Sequence, residues 1–200
     1  MINPINSLVF RLAFTSGFII MSIELLGGRI LAPYFGSSIY VWGSIISVFM
    51  ISLSVGYLLG GKLSTRNPGL LPYGCFFLLA AITLVPAIIY GDTAMDAVFL
   101  RIEDPRYGSL VASGLLFFLP VAILGMIAPY SVRLLVENAH HSGQVAGVLY
   151  FVSTLGSALG TLLTSFYLVL LFEVNQVLLT MVLVLAISGL SAAICGKLLK

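Results

Sequence analysis

The amino-acid sequence predicts an all-α membrane protein with six transmembrane helices, and three observations lead to this fold class. Of its 200 residues, 60% are hydrophobic and only 8% are charged, whereas soluble domains carry roughly 25% charged residues. The mean hydropathy, +1.15, is strongly positive. A spanning helix needs about 20 apolar residues, and the sequence contains six apolar runs of this order joined by short polar turns. We therefore expect one transmembrane domain over residues 1–200.

The first half of the sequence contains three of these apolar runs. The first covers about 8–30 and is predicted to break at 32–36, because Pro33 disfavours helix at the residue that precedes it. The second covers about 40–61. A polar turn at 62–69, which contains both proline and glycine, separates it from the third run at about 71–90.

The second half contains a polar connection and three further runs. Within 92–103, apolar residues repeat at helical spacing opposite charged ones, which predicts a short interfacial helix that cannot span. The fourth run covers about 109–127 and is expected to end before Pro129. The fifth covers about 145–172 and the sixth about 176–195, with a tight polar turn between them.

The distribution of basic residues predicts the orientation in the membrane. With six spans, three basic residues fall on one side and six on the other. The positive-inside rule makes the richer side cytoplasmic. We therefore expect a multi-pass protein of the cell inner membrane with both termini in the cytoplasm. The residues on the cytoplasmic side are Arg11, Lys62, Arg66, Arg133, Lys197 and Lys200.

Three short motifs occur twice in the same order, at offsets of 97, 96 and 100 residues. They start at Ser16 and Ser113, at Leu31 and Ile127, and at Ser54 and Thr154. This order predicts a repeat, with one copy at about 8–90 and the other at about 109–196. Three spans separate the copies, so the second would be inverted, as in each half of a major facilitator-type transporter. The alternative is a six-helix bundle with repetitive small-residue packing.

Four motifs resemble a known family in the same order. Residues 24–38 with Trp42, then 56–63, 124–134 and 143–161, are similar to the membrane module of the fused spermidine synthase/MFS-like proteins. The resemblance implies that module without the Rossmann-type aminopropyltransferase-like domain that its members commonly carry. The sequence has no glycine-rich strand-to-helix turn for a nucleotide, so no cofactor is expected.

Glu24 is the one carboxylate well inside a predicted span. An ionisable residue there costs about 2.5 kcal/mol or more and usually faces a cavity or a partner. Two interpretations remain open: Glu24 is a proton or cation site, or it is neutralised by Arg29. On a straight helix, residues five apart point about 140° apart, so pairing would require a kink or a long reach by arginine.

Other residues are candidates for packing or for lining a path. Gly56, Gly60, Gly156 and Gly160 would form small-xxx-small faces. The hydroxyls of Ser153 and Thr154 would either bond to carbonyls of their own helix or line a path. Arg133 would be a positive-inside anchor or contact anionic lipid or a partner. The adjacent His140 and His141 do not predict a metal site. These candidates are Pro33, Trp42, Gly56, Gly60, Pro129, Arg133, Ser153, Thr154, Gly156 and Gly160.

Two functions of different classes are compatible with these residues. One is a transport-related module for a small solute, and the family resemblance suggests a polyamine-like cation. Six helices would make half of a major facilitator-type pore, so a homo-oligomer or a second subunit is expected. The alternative is a non-catalytic integral subunit or anchor of a larger assembly. We expect contact with membrane lipid, no enzymatic activity, no metal, and no nucleic-acid binding because the basic residues are scattered.

Overall fold

A computed structural model describes residues 4–136 and 141–198, within which every regular element is a helix. Six helical segments are long and apolar enough to cross a membrane, which confirms the predicted all-α fold with six candidate spans. They are α1 (Pro4–Phe35), α2 (Ile39–Ser64), α3 (Leu70–Ile89), α5 (Pro105–Gly125) with α6 (Ile127–Leu135), α7 (Ser142–Leu163) with α8 (Val169–Leu171), and α9 (Val174–Leu198). His140 and Lys200, used in the sequence predictions, lie outside the described residues.

The helix α1 ends within the predicted break at 32–36, but Pro33 is not the residue that ends it. α1 continues through Pro33 to Phe35 and ends at Gly36, whose φ of 77° favours glycine. The Gly36 N–H donates to the carbonyl oxygen of Ala32 at 2.9 Å, which is a left-handed glycine cap. Pro33 lacks the N–H that would bond to the carbonyl oxygen of Arg29, so it costs one helical hydrogen bond, yet the helix continues for two more residues.

The end predicted before Pro129 also differs. The fourth span kinks at Met126, whose N–H donates to the carbonyl oxygen of Ile123, three residues back. The helix then resumes as α6, and Pro129 lies in its first turn, where a missing N–H is not needed. Pro33 lies in the last turn of α1, whereas Pro129 lies in the first turn of α6, so the expectation that each proline ends a span in the same way is wrong.

A short helix, α4 (Gly91–Phe99), lies within the region where the sequence predicts one. Met95 and Val98 are buried. The ring of Phe99 packs edge-on against Tyr34 and Phe35 near the end of α1, with ring centroids 6.2 and 5.9 Å apart. This side chain contact docks α4 onto one end of the bundle, which we call the α4 end.

The opposite end contains both ends of the described chain. Ile5, the α2–α3 turn at 67–69 and Gly196 line one crevice there, and we call it the terminal end. Between the two ends, the most extensive helix contacts are α3 with α9, α2 with α5, and α1 with α7. Each pair includes a glycine whose Cα lies against the backbone of the partner helix: Gly74 against Gly189, Gly56 against Ala122, and Gly156 against Phe14.

Candidate functional site

A cavity of about 440 Å³ lies among α1, α2, α7 and the α5–α6 junction, and we call it the central cavity. Glycine contacts help to shape it. Gly17 of α1 lies against Ser153 of α7, while Gly125 lies against Leu53 of α2. The kink at Met126 places Pro129 in its wall. The cavity is lined by Ser16, Gly17, Ile20, Met21, Leu53, Tyr57, Leu124, Gly125, Ala128, Pro129, Tyr150, Ser153, Thr154 and Ser157.

The lining is apolar on one side and hydroxyl-bearing on the other. Ser157 donates to the carbonyl oxygen of Ser153 at 3.2 Å, and Thr161 donates to that of Ser157 at 3.0 Å. Because their hydrogens point along their own helix, the oxygen lone pairs of such hydroxyls can still accept from a ligand. Tyr57 and Tyr150 add two phenol groups. None of the described residues that line the cavity carries a formal charge.

Glu24 lies directly along α1 from this cavity. Gly17, Met21, Glu24 and Gly28 follow one another at intervals of four, three and four residues, so they share one stripe of the helix. Gly17 and Met21 line the central cavity. Gly28 lines a second cavity of about 300 Å³ towards the α4 end, together with Arg29, Trp42 and Val169. The half-buried Glu24 lies on α1 between these two sets of lining residues, although it is not in the lining of either cavity.

Arg29 does not pair with Glu24 in the structure. Its Nη1 donates to the carbonyl oxygen of Val169, 2.9 Å away. Among the described residues, the one salt bridge within 4.0 Å joins Arg106 to Asp104. The pairing interpretation from the sequence therefore finds no support. The reason is geometric, because the two side chains leave α1 in different directions and α8 offers Arg29 a closer acceptor.

The acceptor exists because of how the fifth span ends. A π-helical turn, Thr164–Leu168, separates α7 from α8, and α8 stops at Leu171. The carbonyls of a last helical turn have no partner within the helix, and a cation there also interacts favourably with the helix dipole. At the start of the π-turn, Thr164 donates to Ser22 Oγ at 2.9 Å. The Arg29–Val169 and Thr164–Ser22 hydrogen bonds together join the end of the fifth span to α1.

The structure brings some of the predicted candidates together and leaves others apart. Pro129, Ser153 and Thr154 line the central cavity. Gly56, Gly60, Gly156 and Gly160 lie in helix contacts beside it, against Ala122, Met126, Phe14 and Phe18 respectively. Trp42 packs on Gly28 beside the second cavity. Pro33 lines a crevice at the α4 end, and Arg133 lies in the last turn of α6, away from both.

Sequence reasoning missed Tyr57, Tyr150 and Gly17 as site residues. Only the two tyrosines carried a signal that could have identified them. The two tyrosines fall several residues inside an apolar run, where the headgroup level does not account for a phenol group. Gly17 belongs to a repeated motif, but its role depends on α7 approaching α1, which no local pattern shows.

No protein-family model, curated protein or solved structure with which the chain was compared matches it. The family resemblance stated above therefore stays a prediction, and the site is interpreted from its own geometry.

Proposed function

We propose that this chain is a transport-related membrane module, in which a small solute moves along α1 between α2 and α7. The observation that carries the proposal is the central cavity followed, on the same stripe of α1, by an intramembrane carboxylate and a second cavity. Such carboxylates usually mark a solute or proton pathway. The hydroxyl and tyrosine lining is suited to a partly polar solute.

The exposure of the fifth span supports a second subunit beside this path. Only 17% of the apolar window of Ser142–Leu171 is buried, against 39% to 61% for the other five spans. Phe151, Phe166 and Tyr167 project from it with more than half of their surface exposed. One six-helix unit would thus form one wall of a pathway, and another copy of the chain or a different six-helix subunit would form the other.

The pattern of helix contacts supports the 3+3 inverted repeat. The main pairs are the first span with the fifth, the second with the fourth, and the third with the sixth. The repeat relates the first span to the fourth, the second to the fifth and the third to the sixth. Applying this exchange to the three pairs gives the same three pairs. Individual contacts follow the repeat less closely. Gly56 contacts Ala122, and an offset of 97 residues makes Leu25 the counterpart of Ala122. The repeat-related Gly156 contacts Phe14 instead, eleven residues before Leu25.

The orientation belongs to the same proposal. We place the terminal end on the cytoplasmic side of the cell inner membrane, because six of the nine basic residues are assigned to that side. α4 would then lie at the outer interface, with its buried Met95 and Val98 facing the bundle. Asp92 and Asp96 of the same helix would face the headgroups or water.

Flux through reconstituted vesicles tests the transport proposal. Wild-type protein in proteoliposomes is expected to move at least one of a panel of small organic solutes, and Glu24→Gln is expected to reduce that flux strongly. Glu103→Gln is the matched control, since it makes the same chemical change at an exposed loop position. Absence of flux for every solute, or equal flux for wild type and Glu24→Gln, would contradict the proposed path along α1 and the role of Glu24 in it.

A non-catalytic subunit is the second candidate function, and the same exposed face of the fifth span favours it. An assembly partner would cover Phe151, Phe166 and Tyr167 without any solute passing. This candidate predicts co-purification in mild detergent with a different protein at fixed stoichiometry. A partner-free particle that moves solute in vesicles would argue against it.

A further inference from the structure

Glu24 stands alone as an acid within the part of the membrane region that the structure describes. The sequence has seven carboxylates, and the described candidate spans contain only this one. No lysine or arginine among the described residues lies within 4.0 Å of it. A carboxylate in a membrane span without a counter-charge is stabilised by a proton or by a bound cation.

We infer that Glu24 and the central cavity form a binding site for one monovalent, amphipathic organic ammonium ion, with a proton as its competitor. This inference rests on the proposed transport function and names the class of solute. The ammonium group lies against the Glu24 carboxylate, and the apolar body of the solute occupies the central cavity.

The cavity suits such a body in size and in chemistry. Its volume of about 440 Å³ falls in the range of small-molecule pockets, roughly 300–1,000 Å³. Ile20, Met21 and Leu53 supply apolar contact for the body of the solute. The rings of Tyr57 and Tyr150 add aromatic surface for the same body. Met21 lies three residues before Glu24, about 4.5 Å along the helix axis.

The single charge of the solute follows from the charges around the site. A second ammonium group in the cavity would find no carboxylate among the described lining residues, and an unpaired buried charge is costly. Every other charged group on the helices that contact α1 lies near a helix end. These groups are Lys62 of α2, Asp92 and Asp96 of α4, Arg106 of α5, Arg133 of α6 and Lys197 of α9, with Arg11 and Arg29 on α1 itself.

The titratable groups of the fifth span do not change the conclusion that the solute carries a single charge. α7 and its π-turn carry no formally charged residue, and their phenols are Tyr150 and Tyr167. Tyr57 is the phenol of α2 that reaches the cavity. Phenols stay neutral over the physiological range. A protonated carboxylate cannot hold the ammonium ion, so the cation and a proton compete for Glu24. Binding to the protonated site displaces one proton, whereas binding to the ionised site displaces none.

Calorimetry in lipid nanodiscs with phenethylammonium as the probe tests this inference. From about pH 8 to about pH 5 the amine stays charged, so a loss of affinity as the pH falls reports protonation of the protein. For wild type, the apparent Kd is expected to rise at low pH with a limiting slope of one proton, about tenfold per pH unit. Putrescine, a dication, and phenethyl alcohol, the neutral analogue, are each expected to bind about tenfold more weakly or worse.

The variants separate the role of the charge from folding. Glu24→Gln is expected to weaken phenethylammonium binding by about tenfold or more and to abolish its pH dependence. Glu24→Asp should keep a pH dependence, and Glu103→Gln should behave as wild type. A wild type that binds no phenethylammonium, binds putrescine as tightly, or shows the same pH dependence in Glu24→Gln would overturn the inference. Flux of a different solute in vesicles would then leave the transport proposal standing.

Discussion

Arg29 of α1 caps the end of α8 by donating from Nη1 to the carbonyl oxygen of Val169, 2.9 Å away. This contact spans 140 residues of sequence and accounts for an arginine near the end of the first span. Because Arg29 binds Val169, it does not form the ion pair with Glu24 that the sequence suggested. One arginine thus stabilises the end of the fifth span, while the carboxylate five residues earlier on α1 stays available.

A double-mutant cycle tests this separation of roles. Arg29→Gln is expected to lower the free energy of unfolding by about 0.5–2 kcal/mol, because the helix end loses a charged donor. Arg29→Lys should recover part of that loss. The effects of Arg29→Gln and Glu24→Gln should add to within about 0.5 kcal/mol, since the two residues share no contact. Denaturation in detergent measures all of these values, and a coupling energy above about 1 kcal/mol would show an ion pair instead.

Glycine substitutions on one helix should change stability in opposite directions. A methyl group on Gly156 would overlap the carbonyl oxygen of Phe14, so Gly156→Ala must push α1 and α7 apart. The expected cost is about 1–3 kcal/mol. Gly147, also on α7, has nothing within 4 Å of the added methyl group. Gly147→Ala should therefore be neutral or stabilising by up to about 1 kcal/mol. Thermal unfolding in detergent compares the two, and equal effects would contradict the α1–α7 contact.

The hydrogen bond between Tyr73 and Ser131 predicts an asymmetry between its two deletions. The oxygens lie 2.7 Å apart, and Ser131 also donates to the carbonyl oxygen of Ile127. The Tyr73 hydroxyl is therefore the donor to Ser131. Ser131→Ala leaves the fully buried Tyr73 hydroxyl without its partner and should cost about 1–3 kcal/mol. Tyr73→Phe should cost less, because Ser131 keeps its own bond. Unfolding by denaturant gives both values, and the reverse order would rule out this donor assignment.

Cysteine labelling tests the proposed six-span topology. With Cys75 and Cys195 replaced, Ser37→Cys should react with a membrane-impermeant reagent in intact right-side-out vesicles. Ser37 is exposed in the turn between α1 and α2. Gly143→Cys, at the terminal end of α7, should react only after the vesicles are opened; its added side chain meets nothing within 4 Å. Labelling of both positions, or of Gly143→Cys alone, in sealed vesicles would contradict the proposed orientation.

Helix positions were largely predictable because they depend on local pattern. Apolar runs of sufficient length have few alternatives in lipid, where every backbone group must be bonded within its own segment. The ends were less predictable. The break at 32–36 was predicted in place but was assigned to Pro33. Gly36 ends the helix instead, because its left-handed cap satisfies the carbonyl of Ala32, while a proline near the end removes only one donor.

The site was only partly predictable, because it is made by residues far apart in the chain. Glu24 could be identified alone, since a carboxylate within an apolar run is costly wherever the other helices lie. Tyr57, Tyr150 and Ser153 become one cavity wall only when α2 and α7 both pack against α1. The break at Met126 lies just before Pro129, which signals it in the sequence. That Pro129 faces the cavity depends on how α6 packs against α1 and α7.

The sequence by itself determined that this is a six-helix membrane-type protein and that Glu24 is its exceptional residue, because hydrophobic length and the cost of a charge in lipid act through local composition. Tertiary structure alone decided what Arg29 does. Whether its guanidinium met Glu24 or Val169 depended on where the fifth span ends relative to α1. That position follows from close glycine contacts and a π-helical turn, so the partner of a long side chain was set by the packing of whole helices.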